Sequence, residues 1–302
     1  MSASFLVTVF LPTVVMLGML GLGISLTIED FKQIFVRPKA VLVGLLNQLL
    51  FVPLTGLLLA LLLPLSPELA AGLIIIAAAP GGVASNVTTF LLEGDSALSI
   101  SLTTLSNLLA FITLPLWTGL SLYLFMDANK SVSVSLVQII IQVVVLTLIP
   151  IGLGLWLRAR WPDLGPKLKR PLRLGLALLV LVAIIGSLVS ESENLLYYLA
   201  QAGIAAVMLC VTTILLGFVS TWLFKLDLRT RITIANEAGI QNVPLALTVT
   251  ASILGNRLIA ITPAAYGLVQ IFLLSMVLGL AFGPWSAKLL PKPPVGREIV
   301  QP

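Results

Sequence analysis

Long apolar runs without a charged residue are the feature that most restricts how this chain can fold. Nine such runs lie at 1–28, 40–67, 69–92, 96–126, 131–157, 174–190, 194–224, 238–256 and 258–287. A helix needs about 20 mostly apolar residues to cross the hydrocarbon core of a bilayer. Most of the runs reach that length, and they lack the alternation of apolar and polar residues that is typical of membrane β-barrels. The sequence therefore predicts an all-α protein that crosses the membrane nine times.

The composition agrees with this interpretation. Of the 302 residues, 59% are apolar and 10% are charged, whereas soluble globular proteins carry roughly 25% charged residues. The apolar content fills nine spans and leaves no room for a separate soluble domain, so residues 1–302 are expected to form one membrane domain. Trimmed to spanning length, the predicted helices lie near 5–26, 41–63, 69–92, 96–124, 132–157, 171–190, 196–224, 232–254 and 258–287.

The basic residues predict the orientation in the membrane. Alternate loops and the C-terminal tail carry three, six, three and three Lys or Arg residues, whereas the other side has only Lys130 and Arg257. The positive-inside rule then places the N-terminus outside and the C-terminus in the cytoplasm. Because the positive charges lie at the ends of spans, they do not indicate nucleic-acid binding. The expected location is the cell membrane, with a plastid envelope as the alternative.

Two of the predicted spans are not plain helices. The third contains APGGVASNV at 79–87, and the eighth contains NEAGIQNVP at 236–244. Proline and glycine interrupt the helical hydrogen bonds, and non-helical backbone at membrane depth is tolerated only inside protein or beside a cavity. A kink that serves packing alone is the alternative for either span.

The two interruptions lie at corresponding positions. A shift of 156 residues places 85–87 on 241–243, and it also carries 41–63 onto 197–219 and 96–124 onto 252–280. The chain is therefore predicted to consist of one repeat at about 5–124, an extra helix at 132–157 and a second repeat at about 171–287. Since the repeats are five helices apart, the second is inserted upside down. Inverted repeats with interrupted helices are typical of secondary transporters.

Glu237 is the acidic residue that the sequence places within a span. The other eleven lie in loops, in tails or near span ends. A charged side chain at the bilayer centre costs about 3 kcal/mol on insertion scales, and no Lys or Arg is predicted at that depth. A cation from outside the protein, sodium or a proton, is the expected partner. A neutral Glu that is hydrogen-bonded between helices is the alternative.

Oxygen atoms suited to a hard cation surround this position in the sequence. Ser99 and Thr103 are spaced i, i+4 and therefore share a helix face, although such hydroxyls often bond to their own helix. Gln48, in the middle of a span, fits a hydrogen bond between helices equally well. The further candidates are the carbonyls of Ala238 and Ile240 and the side chains of Ser85, Asn86 and Gln241.

Taken in order, these elements resemble the bile acid:sodium symporter family. The matching motifs are PGGxASN at 80–86, GxxALS at 94–99 with Thr103, ExGxQN at 237–242, GxGISL at 21–26, DFK at 30–32 and RPK at 37–39. The resemblance extends from about residue 10 to 290 and is to the nine-helix form of the family. It implies a core domain that holds two crossed, broken helices and a panel domain that moves against it.

The resemblance also implies a function and its residues. It implies a symporter of organic anions such as bile acids, sulfated steroids or keto acids, with two sodium ions as coupling ions and no other cofactor. The implied first sodium site is Ser85, Asn86, Ser99, Thr103 and Glu237, and the second is Gln48, Glu237, Ala238, Ile240 and Gln241. The implied substrate contacts are Asn242, Val83, Ala84 and Val243. Val83 and Val243-Pro244 depart from the family's usual small or hydroxylated residues, which leaves the substrate open.

Other classes of function fit less well. A proton-coupled or uncoupled organic-anion exporter on a similar fold would use Glu237 alone and is the main alternative. A channel needs a continuous polar lining, which no span offers. An enzyme is not expected, because the chain has no His and a single cysteine, Cys210, and the usual general-base and metal chemistry needs such residues. The oligomeric state is left open.

Overall fold

A computed structural model of the chain describes residues 5–27, 35–126, 135–163, 178–186 and 195–282, with the single positions 168 and 175. The elements in these ranges are helices, apart from one isolated antiparallel bridge between Gly81 and Gln241. The predicted all-α class is therefore confirmed. The motif at 30–32, Lys130, the basic residues at 167–173 and those after 282 lie outside the described residues.

The helix bounds lie close to the predicted spans. Two predicted spans are each divided into two helices, which we label a and b. The helices are α1 (Leu11–Ser25, after a π-helical turn at Leu6–Phe10), α2 (Pro38–Leu62, with a π-helical turn at Asn47–Phe51), α3a (Pro67–Ala78), α3b (Val83–Leu91), α4 (Ser96–Phe125), α5 (Leu136–Arg160), α6 (178–186), α7 (Leu195–Leu223), α8a (Leu228–Gly239), α8b (Val243–Leu247, before a π-helical turn at Thr248–Ile253) and α9 (Arg257–Phe282).

Six of the described helices, α1, α2, α4, α5, α7 and α9, are long and apolar enough to cross a membrane. Large apolar side chains such as Leu58, Ile204 and Phe272 are exposed on their outer faces, as expected for contact with lipid. The structure thus supports a protein with several membrane spans. Half of the predicted helix 171–190 lies outside the described residues, so the count of nine stays a prediction.

Helix α3a lies at the centre of the molecule. Its residues from Leu69 to Ala78 are all buried, and it packs against α2, α4 and α9. A helix that is apolar on every side is expected to be buried in this way. Gly72 allows a close approach to α9, since a Cβ there would overlap the carbonyl oxygen of Ile259. The C-terminal end of α3a, where the chain leaves the helix, is therefore inside the protein.

Helices α1 and α5 form a closely packed pair. A Cβ on Gly154 of α5 would lie 2.8 Å from the Cα of Gly23 on α1, so the two backbones touch. Small residues at a membrane helix interface allow this close approach. The pair contacts the remaining helices mainly through α4 and through the α8b segment.

The first residues of α2, α4 and α8a lie at one end of the molecule. The Arg37 guanidinium forms an ion pair with Asp95, with 2.6 Å between Nη1 and Oδ2. The Asp95 backbone N–H donates to the hydroxyl of Thr233 on α8a at 2.7 Å. The positive-inside rule places Arg37 and Arg229 on the same side of the membrane. In the structure they lie at the starts of α2 and α8a, which are both close to the start of α4.

Replacing Gly154 by Ala tests the α1–α5 contact. We expect Gly154→Ala to lower the melting temperature of the detergent-purified protein, because the new Cβ overlaps the backbone of α1. Gly152→Ala is the matched control, since a Cβ at Gly152 meets nothing within 4 Å and alanine favours the helix by about 0.5–1 kcal/mol. Equal melting temperatures for the two variants would contradict the backbone contact.

Asp227 at the start of α8a provides a test by pH. Its carboxylate accepts hydrogen bonds from the Thr230 hydroxyl at 2.6 Å and the Thr230 N–H at 3.1 Å, and these hold the pKa of Asp227 below its usual value of 3.8. Because the pKa is lower in the folded state, the stabilisation is present above the unfolded value and is lost as the pH falls through the folded one. At neutral pH, Asp227→Ala should lower the free energy of unfolding by about 1 kcal/mol.

The measurement is chemical unfolding in detergent at neutral pH and at about pH 3. The ordinary pKa of an aspartate lies between these two values. Asp227→Asn is the control, because it keeps an oxygen for the helix cap but carries no charge. The difference between wild type and Asp227→Ala should shrink on acidification. If the difference in free energy of unfolding between wild type and Asp227→Ala grew on acidification, the role of the Asp227 carboxylate as a helix cap would be contradicted.

Candidate functional site

The interruptions of α3 and α8 meet and pair through their backbones. The Gly82 N–H donates to the Ile240 carbonyl at 3.1 Å, and the Asn242 N–H donates to the Pro80 carbonyl at 2.9 Å. Helix ends leave backbone groups without intrahelical partners, and here each interruption satisfies part of the other. The two segments that the sequence marks as broken therefore lie side by side in the interior.

Glycine allows this crossing to be close. A Cβ on Gly81 would overlap a carboxylate oxygen of Glu237, and one on Gly82 would lie 2.8 Å from the Gln241 carbonyl oxygen. The paired glycines at 81–82 thus bring the α3 backbone directly against the acidic residue and the second interruption.

Glu237 is buried beside the crossing, with 2% of its surface exposed. The Thr103 hydroxyl donates to Oε1 at 2.5 Å, and the Ser99 hydroxyl donates to Oε2 at 3.1 Å. Among the described residues, no basic side chain forms a salt bridge with this carboxylate. The described part of the chain therefore provides hydroxyl donors for the carboxylate but no positively charged side chain in contact with it.

The other residues predicted for the first cation site surround the same point. The Asn86 side-chain oxygen lies 2.8 Å from the Ser99 hydroxyl and 3.3 Å from the Thr103 hydroxyl, so it shares these two donors with the carboxylate. The Ser85 hydroxyl lies 3.3 Å from that of Thr103. Helices α3b, α4 and α8a thus bring together five oxygen-bearing side chains, which is the chemistry that hard cations prefer.

Gln48 and Gln241 lie next to this group, on the side of α2. The Gln48 amide nitrogen donates to the Gln241 side-chain oxygen at 2.6 Å and to the Ala79 carbonyl at 3.0 Å. The Gln241 amide nitrogen donates to the Ala238 carbonyl at 2.7 Å. The Gln48 side-chain oxygen is buried and has no hydrogen-bond partner among the described residues. The π-helical turn of α2 contains Gln48, and such turns often occur at functional sites.

The residues expected to contact substrate differ in their exposure. Val83 is 40% exposed and Ala84 is partly buried, whereas Val243 is 1% exposed. Asn242 is also buried, and its side-chain oxygen caps α8b by accepting from the Leu245 N–H at 3.2 Å. In this conformation, Val83 is the one of the four whose side chain is open.

The sequence analysis missed several polar residues at the crossing. Asn107 donates to the Gly81 carbonyl at 3.0 Å, and the Ser106 hydroxyl accepts from the Gly81 N–H at 3.3 Å. Both lie three or four residues beyond Thr103, so extending the face of Ser99 and Thr103 by one turn would have found them.

Asn236 and two residues of α9 were missed as well. The Asn236 amide donates to the Ser85 carbonyl at 2.8 Å and so joins α8a to α3b. Its place directly before Glu237 is the signal that was available. Gln270 and Tyr266 contact the backbone of the α8 interruption. Their only signal is that each is a polar side chain in an apolar span.

Thr103→Val and Thr104→Val form a matched pair of variants. The Thr103 hydroxyl contacts Glu237, whereas the Thr104 hydroxyl donates to the Ile100 carbonyl of its own helix. We expect Thr103→Val to cost about 1–3 kcal/mol of stability, because it removes a donor from a buried carboxylate. Thr104→Val should have a clearly smaller effect. The measurement is chemical unfolding in detergent, and a larger loss for Thr104→Val would contradict the assigned contact.

The chain is similar to known transport proteins. Residues 12–199 match the family described as "Sodium Bile acid symporter family". An "Uncharacterized sodium-dependent transporter YocS" of Bacillus subtilis is 35% identical over 241 residues, which cover 78% of this chain and 70% of that protein. The human "Ileal sodium/bile acid cotransporter" is 29% identical over 250 residues, 82% of this chain and 70% of that protein.

A plant protein is similar over a longer part of this chain. The "Probable sodium/metabolite cotransporter BASS1, chloroplastic" of Arabidopsis thaliana is 28% identical over 265 residues, 87% of this chain. The match covers 64% of the plant protein, which is just under two thirds of its length.

Proposed function

Because the chain belongs to the Sodium Bile acid symporter family, we propose that it is a sodium-coupled symporter of organic anions. The membership confirms the family resemblance that the motifs indicate. It also confirms the prediction of a membrane transporter rather than an enzyme. Bile acids, sulfated steroids and keto acids are the substrate classes proposed for it.

The buried Glu237 carboxylate is the observation that carries this proposal. It is surrounded by uncharged oxygen ligands, and no described basic side chain forms a salt bridge with it. A buried charge needs an opposite charge close by, and a sodium ion provides one. The proposed ligands of the first ion are Ser85, Asn86, Ser99, Thr103 and Glu237.

A second sodium ion is proposed on the other side of Glu237. The buried Gln48 side-chain oxygen, which has no hydrogen-bond partner among the described residues, supports this site, since such an atom is costly unless a ligand contacts it. The interruption of α8 ends the helical bonding of the Ala238 and Ile240 carbonyls. They accept instead from the Gln241 amide and the Gly82 N–H, and each keeps a second lone pair that an ion could use. The proposed ligands are Gln48, Glu237, Ala238, Ile240 and Gln241.

The order of helices supports the proposed repeats. Among the described helices, the third on each side of α5 is broken and is followed by one long helix, α4 or α9. We assign one repeat to about 5–124 and an inverted one to about 171–287, with the crossing between them and nine spans in total.

The closely packed α1–α5 pair is the proposed panel, and the helices around the crossing are the proposed core. The proposed location is the cell membrane, with the N-terminus outside.

The proposed mechanism follows from charge. Two sodium ions against one carboxylate make the site positive, so an organic anion is attracted to it. Backbone N–H groups at a helix N-terminus favour anions, and α3b begins at Val83 without a side-chain cap. The anion is therefore proposed to dock beside Val83 and Ala84, with Asn242 and Val243 behind them. Panel and core then rock, and low sodium in the cytoplasm releases the ions and the anion.

Thermal unfolding in sodium chloride and in potassium chloride at equal ionic strength tests the function. A ligand that binds only the folded state stabilises it by RT ln(1 + [L]/Kd), about 2.7 kcal/mol at a hundredfold excess over Kd. We expect a sodium-specific rise in melting temperature that is lost in Glu237→Gln. Glu68→Gln, the same change at the start of α3a, should keep it. Bile acid, sulfated steroid and keto acid are then added in each salt, and stabilisation should need sodium.

The proton-coupled alternative gives the opposite pattern. There, sodium and potassium would act alike, while lowering the pH would raise the melting temperature of the wild type towards that of Glu237→Gln. That result would rule out sodium coupling at this site.

A further inference from the structure

The antiparallel pairing at the crossing leaves two residues with outward-facing backbone groups. The two hydrogen bonds of the pairing are made by the neighbours of Gly81 and Gln241, not by these residues themselves. In such a pair, the N–H and C=O groups of the central residues point away from the partner strand. Since both residues are inside the protein, these groups need other partners.

A different helix supplies those partners on each side. For Gly81 they are Ser106 and Asn107 of α4. For Gln241 a single side chain of α9 contacts both groups: the Gln241 N–H donates to the Gln270 side-chain oxygen at 2.7 Å, and the Gln270 amide nitrogen donates to the Gln241 carbonyl at 3.2 Å. That carbonyl also accepts from the Val243 N–H at 3.0 Å. Both ends of the Gln270 amide are therefore engaged with the backbone of one residue.

Tyr266 holds the same segment one turn earlier on α9. It is fully buried, and its hydroxyl donates to the Gly239 carbonyl at 2.9 Å. Residues four apart share a helix face, so Tyr266 and Gln270, which we call the anchor pair, fix the backbone on both sides of Ile240. The Gln241 side chain, which reaches Gln48, starts from the fixed backbone.

We propose that Gln270 is a positioning residue for the second sodium ion, with Tyr266 in support. This rests on the proposed function, since the oxygens in question are those of Ala238, Ile240 and Gln241. Neither member of the anchor pair gives an oxygen to the ion. They fix the directions of the backbone and side-chain oxygens that do, and loss of such outer partners typically weakens metal binding by about tenfold or more.

The test is calorimetric titration of sodium chloride into the detergent-purified full chain, with melting temperatures in potassium chloride measured in parallel. Gln270→Leu should raise the dissociation constant for sodium by about tenfold, and Tyr266→Phe, which removes one hydroxyl, should raise it less. Gln201→Leu on α7 is the matched control. It is the same substitution in another membrane helix, at a glutamine whose side-chain oxygen has no hydrogen-bond partner among the described residues, and it should leave the affinity unchanged.

Each result decides between distinct conclusions. Unchanged sodium affinity in Gln270→Leu, together with equal loss of melting temperature in both salts, would mean a purely structural role and would overturn the inference. If Gln270→Leu fails to fold, the affinity of Tyr266→Phe decides in the same way. If the wild type binds no sodium, the proposed function itself fails. Sodium binding by the wild type with unchanged affinity in both variants refutes only the anchor pair.

Discussion

Burial of the Glu237 carboxylate is the constraint on which the rest of the site depends. An ionised group taken out of water is costly unless hydrogen bonds and an opposite charge compensate it. The hydroxyls of Ser99 and Thr103 provide the hydrogen bonds, which explains why α4 turns polar residues inward at that height. Gly81 belongs to the same requirement, since any side chain there would occupy the position of the carboxylate. The residues that face this carboxylate from α4 and from the α3 interruption are thus matched to one acidic residue.

The crossing imposes a second requirement, because backbone that leaves a helix inside a membrane protein must find new partners. The two interruptions satisfy each other only in part. Further backbone groups of the interruptions bond to Ser106, Asn107, Tyr266 and Gln270. These four polar residues sit in the long helix that follows each interruption, α4 or α9. They provide the hydrogen-bond partners that the broken backbone needs, and Ser106, Asn107 and Tyr266 are themselves buried.

Much of this arrangement was predictable from the sequence, because long apolar runs without a charged residue mark membrane helices directly. Helix α4 runs over Ser96–Phe125 where 96–124 is predicted, and the interruptions mark the site. Gln270 and Asn107 were not predictable in the same way. A single polar residue in a membrane helix fits a bond to its own backbone equally well, as Thr104 and Thr147 show. Only the position of the opposite backbone distinguishes these cases, and that position is a property of the tertiary fold.

The two interruptions lie at corresponding positions of the sequence, but the helix N-termini that follow them differ in capping and in exposure. Helix α8b is capped by the Asn242 side chain, and Val243 at its start is buried. Helix α3b begins after Gly82 with no side-chain cap, and Val83 at its start is 40% exposed. The partial positive charge of a helix N-terminus is therefore neutralised locally in one half and directed outward in the other. Because Ser85 and Asn86 stand in the first turns of the uncapped helix, the proposed cation ligands lie next to the proposed anion site. Coupling between the two proposed ligands would then need no long pathway, since α3b carries residues of both sites.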